Sequence, residues 1–221
     1  QQYARMLRVA YLAANAANPH VEIHIYGDSV YADQGAWFQA TVDALARFPN
    51  ARANNFFFDA AEVHLYNTVI HWDTIIARWR AIMRTHGFDR PIWLSETNVA
   101  PRDDRDKTCN CWAHPADHNI PLAQQPDFIV TAFATALGLN LPRAEIYRMR
   151  DPRVIWPEHP YGLVRTDGSL RPEYYAFKTA NTWFAGVTAA RYGPGSEPYA
   201  DKRPIFRVVM ERLGQEIQVL W

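Results

Sequence analysis

The sequence predicts an α/β fold in which strands and helices alternate along a parallel sheet. Three observations carry this expectation. Val21–Tyr26, Ala61–Tyr66, Ile92–Glu96 and Ala144–Met149 are apolar or alternating runs of strand length. Stretches with apolar residues at helical spacing separate them, and the longest polar, proline-rich segments follow strands rather than helices. Repeated βα units require a parallel sheet, either open and doubly wound or part of a (β/α)8 barrel. Four strands are too few for a complete barrel.

Taken in order, the chain opens inside a helix, with Tyr3, Leu7, Ala10, Tyr11 and Ala14 on one stripe and Asn18-Pro19 as its stop. The strand Val21–Tyr26 ends at Gly27-Asp28. A helix from about Gly35 to Arg47 carries Phe38, Val42 and Leu45 inward and closes at Pro49. After the second strand, Ile75, Ile76, Trp79, Ile82 and Met83 form a strong apolar stripe, and Gly87 sits where a C-terminal cap is expected. Pro91 leads into the third strand. A long irregular segment from Val99 to about Pro126 follows, then a helix over Asp127–Leu139, the fourth strand, and a last helix over Pro172–Phe184. From Val187 the pattern changes: Ile205–Met210 and Ile217–Trp221 read as two strands joined near Leu213-Gly214, the start of a small β-domain. The expected division is therefore 1–186 and 187–221.

A chain of 221 residues with 48% hydrophobic and 14% aromatic residues is long enough to bury a core and is rich in rings suited to a groove. Basic and acidic residues balance at 23 each with no basic run, which argues against nucleic acid as the main partner. No apolar stretch approaches the roughly 18 residues of a membrane span. The chain opens on Gln1 without an initiator methionine, so its true start is expected upstream. No cofactor is expected. The only two cysteines, Cys109 and Cys111, stand near His114 and His118. Thiolate and imidazole are zinc donors, but one residue between the cysteines is tighter than the usual spacing, and free thiols or a strained disulfide compete with the metal reading. The expectation is no metal, with Cys109, Cys111, His114 and His118 as the alternative set.

The third strand is the most informative stretch. Pro91-Ile92-Trp93-Leu94-Ser95-Glu96-Thr97-Asn98 runs apolar into a carboxylate, as a buried parallel strand does when it delivers a reactive group to the carboxyl edge of a sheet. Strict alternation would place Ile92, Leu94 and Glu96 on one face and Trp93, Ser95 and Thr97 on the other. A charge at the end of an apolar column is costly without a partner. His64 and Tyr66 share a face with Glu62 on the second strand, where a phenol or imidazole would orient Glu96 and keep it ionised. His24 and Tyr26 hold the equivalent place on the first.

The string Trp93-Leu94-Ser95-Glu96-Thr97-Asn98, preceded by the strand with His64 and Tyr66, resembles the second half of clan A retaining glycoside hydrolases, nearest the xylosidase and iduronidase-like group. The opening helix Tyr3-Ala4-Arg5-Met6-Leu7-Arg8 and the passage Gly162–Ser169 with Arg171-Pro172 and Tyr174-Tyr175 fit the same order. The resemblance extends to about Ala185. It implies the second half (strands 5–8) of a TIM barrel, with Glu96 as nucleophile and a carbohydrate as substrate. It also implies an acid/base glutamate upstream of Gln1, in a missing N-terminal half-barrel or a partner chain that covers the sheet edges, and an extracellular or cell-surface setting. His64, Tyr66, Asn98, His24, Tyr26 and Trp156 are then candidate substrate contacts, with Arg148 and His159 on neighbouring rim loops. The alternative is a non-catalytic carbohydrate-binding or structural subunit that keeps the fold without turnover.

Overall fold

A computed structural model describes residues 1–29, 35–105, 119–152, 160–194 and 206–221. The chain divides into two compact units, one of Gln1–His64 and His71–Ser95, the other of Leu65–Ile70 and Glu96–Trp221. Helix α1 (Gln2–Ala17), strand β1 (His24–Ser29), helix α2 (Ala36–Ala46), strand β2 (Ala60–His64), helix α3 (Trp72–Thr85) and most of strand β3 (Ile92–Thr97) build the first unit. The second holds the end of β3, the short pair β4 (Ala100–Pro101) and β5 (Asn119–Ile120), helix α4 (Gln125–Gly138), strand β6 (Ala144–Ile146) and helix α5 (Pro172–Phe184). Strands β7 (Val187–Pro194), β8 (Phe206–Arg212) and β9 (Gln215–Leu220) complete it.

The expected alternation of strand and helix is present, and β1, β2, β3 and β6 lie in that order in one sheet. In the first unit the core forms where one face of the strands meets the helices. Ile25, Ala61, Val63, Ile92 and Leu94 are buried, and Phe38 of α2 stacks on Trp79 of α3 with centroids 3.9 Å apart. Helix α3 ends as its sequence predicts: Gly87, at φ +74°, donates its N–H to the Arg84 carbonyl at 2.9 Å. A side chain there would also collide with Arg52, because a Cβ would stand 2.8 Å from Nη2.

Register along β3 departs from simple alternation. The N–H of Ala61 donates to the Pro91 carbonyl, whereas that of Leu65 donates to Glu96 and that of Asn67 to Asn98. Four steps along one strand are therefore matched by five along the other, which is a β-bulge centred near Ser95. Past the bulge the faces exchange. Thr97 and Val99, not Glu96, are the fully buried residues continuing the Ile92 and Leu94 side. Glu96 instead joins the polar face, on which Tyr66 stands.

In the second unit β7, β8 and β9 form an antiparallel sheet whose Val208 and Met210 pack on Ala134 of α4, with Tyr192, Phe184 and Trp221 around them. The hairpin expected at Leu213-Gly214 is present, both residues having positive φ (51° and 75°), as a two-residue turn requires. Two elements differ from expectation. The fourth strand is shorter than Ala144–Met149 and ends at Ile146. Strand β7 was not expected as a strand, because its Ala-rich start has little β propensity and pairing with β8 decides it.

The core predicts one direct outcome. Trp79→Ala should lower the stability of the chain by about 3–5 kcal/mol, because a fully buried indole leaves a cavity against Phe38. Chemical denaturation checks this; a loss below about 1 kcal/mol would contradict the packing.

Candidate active site

Glu96 reaches the carboxyl end of β3 half-buried, and its Oε2 accepts a hydrogen bond of 2.5 Å from the Tyr66 hydroxyl. Charge-assisted O–H···O⁻ bonds have this length. Tyr66 is surrounded by two further rings, Tyr161 at 5.3 Å and Tyr147 at 6.2 Å between centroids, and those two lie 6.0 Å apart. Burial, followed by the hydrogen bond and charge of Glu96, pushes the Tyr66 hydroxyl far above the usual phenol range. Burial, helped by Tyr147, pushes Tyr161 up to about 12. Tyr66 and Tyr161 thus remain protonated at neutral pH, and the Tyr66 hydroxyl donates to Glu96. The arrangement is a carboxylate held in one orientation by a donor, in a wall of aromatic rings.

A buried polar network holds this wall from behind. Asn98, fully buried, donates from Nδ2 to the Tyr161 carbonyl at 2.7 Å, and its Oδ1 accepts the Val99 N–H at 2.7 Å. The Arg148 N–H donates to the same Tyr161 carbonyl at 3.2 Å. Arg171 has no solvent exposure; its Nε donates to Asp104 Oδ2 at 2.9 Å, and its Nη1 lies 2.7 Å from Asp151 Oδ2 and bonds the Gly162 carbonyl. Arg165 pairs with Asp104 at 3.0 Å. Arg148 Nε also lies 3.8 Å from Asp151 Oδ1, so three arginines surround the two aspartates, and Glu173 in the first turn of α5 is a third carboxyl with no exposure. Its side chain is buried beside the Asn98 amide. Burial pushes Glu173 up to about 9, and the charges of Asp151 and Asp104 act in the same direction; Arg171 and the Asn98 amide oppose them.

The other residues singled out by sequence fall as follows. In the first unit, His24 Nδ1 lies 2.8 Å from Glu62 Oε1, and its ring meets Trp93 edge-on at 4.1 Å. His64 is half-buried at the end of β2. Tyr26 lies on β1, and its side chain falls outside what is described. Trp156, His159, Cys109, Cys111, His114 and His118 lie outside the described residues. Among the described residues no group of His, Cys, Asp or Glu is arranged to hold a metal, and no helix is long and apolar enough to cross a membrane. Asn98 bonds the Tyr161 carbonyl and the Val99 N–H and faces Glu173, and Asp151 is held by Arg171, Arg148 and the Gly162 N–H.

Sequence reasoning missed Tyr147, Tyr161, Glu173 and the Asp104–Arg165–Arg171 cluster. Tyr147 had a readable signal: an aromatic just past the fourth strand, as Tyr66 is just past the second. The ion pairs had none, since Asp104 lies 61 and 67 residues from its two arginines.

No protein-family model and no curated protein matches the chain. Solved structures do. A family 51 α-L-arabinofuranosidase from Bifidobacterium longum superposes with a TM-score of 0.58 at 13% identity, over 95% of this chain and 49% of that one. The GH53 catalytic domain of Ignisphaera aggregans gives 0.54 at 19% identity, over 80% and 51%. A xylanase of Cellvibrio japonicus gives 0.51 at 19%, over 80% and 54%. The chain spans about half the length of each. At these identities the likeness is one of fold: a mixed α/β chain whose parallel sheet resembles that of TIM-barrel glycosidases. It extends across several glycoside hydrolase families rather than to the xylosidase and iduronidase-like group alone.

The buried carboxyl makes stability depend on pH. The folded state keeps the Glu173 proton up to about pH 9, whereas the unfolded chain releases it near its ordinary value of 4.5. Its contribution to stability is therefore complete below 4.5 and is lost as pH rises toward 9, by up to about 1.4 kcal/mol per pH unit. Glu173→Gln should flatten that slope relative to wild type. Parallel denaturation series between pH 5 and 9 measure it, and equal slopes would refute the assignment.

Proposed function

We propose that the chain is the C-terminal half of a (β/α)8 glycosidase-like domain, with residues 187–221 opening a β-sandwich-like domain, and that it takes part in retaining hydrolysis of a glycosidic bond. The observation that carries the reading is the Tyr66 hydroxyl bonded to Glu96 Oε2 at the carboxyl edge of a parallel strand. A carboxylate oriented by a phenol and left half-exposed is suited to nucleophilic attack. One Glu96 oxygen bonds to the anomeric carbon while the glycosidic C–O bond breaks, and the departing oxygen takes a proton from a second carboxyl. Water then hydrolyses the glycosyl-enzyme, and Glu96 is released as carboxylate. Tyr66, His64, His24, Tyr26 and Trp156 are the proposed sugar contacts, and Asn98 supports Tyr161 from within.

The second carboxyl comes from outside the described residues. A retaining pair stands about 5–5.5 Å apart with both groups open to substrate, whereas Asp104 and Asp151 are paired with arginines and Glu173 is sealed from solvent. An upstream half-barrel or a partner chain is the proposed source. The same observation favours a second reading, in which the chain binds carbohydrate without turnover.

A dinitrophenyl 2-deoxy-2-fluoroglycoside separates the two readings, because its leaving group departs without protonation and no acid is needed for the first step. Intact-mass analysis should show one fluoroglycosyl adduct per chain, mapped to Glu96 and absent from Glu96→Gln. Tyr66→Phe, which deletes a hydrogen bond to a charged group worth about 1.5–3 kcal/mol, should slow labelling by roughly 10- to 150-fold. No adduct across pyranoside and furanoside probes, with glycan binding retained, would replace the hydrolase by the binding reading.

A further inference from the structure

In the first unit the C-terminal ends of α2 and α3 border a cavity of about 640 Å³ whose lining includes Phe48, Asn50, Arg52, Phe56, Arg84 and His86 and no carboxylate. That lining stands out in a chain whose acidic and basic residues balance at 23 each. Its volume lies in the range of small-molecule sites, which present rings beside a few well-placed donors. Helix C-termini expose carbonyls and attract cations, which is the ordinary reason for arginines at such a place. Of the arginine donors here, however, only Arg52 Nη2 serves a helix end, donating to the His86 carbonyl at 3.0 Å.

Arg52 is held in place by its surroundings. Its guanidinium lies 5.8 Å from the centre of the Phe56 ring and against Gly87, where a Cβ would stand 2.8 Å from Nη2 and 3.5 Å from Nη1. Among the described residues no carboxylate pairs with it, and its Nε and Nη1 make no hydrogen bond. The nearby acids are engaged elsewhere: Asp43 Oδ1 accepts from Gln39 Nε2 and lies 2.8 Å from His86 Nε2, and Asp89 pairs with Arg84 at 3.2 Å. The Arg84 pair is exposed on both sides, so it contributes little and is open to exchange. We propose that this cavity binds a small ligand through an oxyanion group, a phosphate, sulfate or carboxylate. Arg52 is the principal contact, Arg84 a second donor, and the Phe48 and Phe56 rings line the space for the rest of the ligand. The open edge of a planar guanidinium matches two oxygens of such a group at once. Arg52 belongs to the first unit and Glu96 to the second, and the proposal does not depend on the glycosidase reading.

The test is an NMR titration of the intact, nitrogen-labelled chain with inorganic phosphate, inorganic sulfate and glucuronate, each against sodium chloride at matched ionic strength. At least one of the three should give saturable shifts of the Arg52 side-chain Nε–H and of the Asn50 and Gly87 backbone amides, which chloride does not reproduce. Saturation by phosphate or sulfate alone identifies a phosphorylated or sulfated ligand; saturation by glucuronate, with magnetisation transferred to it from the Phe48 or Phe56 ring, identifies an acidic sugar. Glucose, which has the ring without the charge, should not bind. Arg52→Gln should weaken the binding by about tenfold or more, the loss expected for hydrogen bonds to a charged group, and Arg84→Gln by a smaller factor with the fold unchanged. The proposal is overturned if none of the three anions saturates these resonances in wild type, if chloride or glucose matches them, or if Arg52→Gln binds as wild type does. Wild type alone decides the first two points and the exposed Arg84 gives a second variant, so an Arg52→Gln chain that folds poorly does not block the test.

Discussion

The hydrogen bond from Tyr66 to Glu96 depends on one extra residue in a strand. Without the bulge near Ser95, Glu96 would continue the buried side formed by Ile92 and Leu94, where a carboxylate has no donor and ionisation is costly. With it, Glu96 turns to the face that carries Tyr66, and Thr97 and Val99 take up the buried side. A bulge beside a functional group re-aims a side chain that the regular pleat would misdirect. The remaining features of the site follow from that turn: Asn98, two residues on, also leaves the apolar side and meets the Tyr161 carbonyl.

The segment around Tyr161 is held by charge rather than by regular pairing. Arg171 and Arg165 gather Asp104, Asp151 and the Gly162 carbonyl into a network shielded from solvent. Removing one partner of such a network strands a buried charge, which costs far more than an exposed pair contributes. The network positions the backbone on which Tyr161 stands, and burial beside it outweighs the pull of Arg171 on Glu173, whose carboxyl is pushed well above the usual range.

Much of this fold was legible because its periodicities are local. The stripe from Ile75 to Met83, the alternation from Ala61 to Tyr66 and the Leu213-Gly214 turn each carry their conformation in a few adjacent residues. Glu96 was legible for the same reason, as a carboxylate ending an apolar run. Its facing was not, because register is a property of two strands and alternation read on one cannot register an inserted residue. Tyr161 and the Asp104 pairs were hidden for a related reason: only the folded backbone brings them together, across loops whose composition resembles ordinary turns.

Site-resolved titration of the Tyr66 phenol tests the central claim most directly, in wild type and in Glu96→Gln. If the phenol is buried and bonded to the Glu96 carboxylate, its Cζ resonance should show no ionisation through pH 11 in wild type. In Glu96→Gln it should move toward the ordinary phenol value near 10. A Tyr66 that ionises near 10 in wild type and is unchanged in Glu96→Gln would contradict the account.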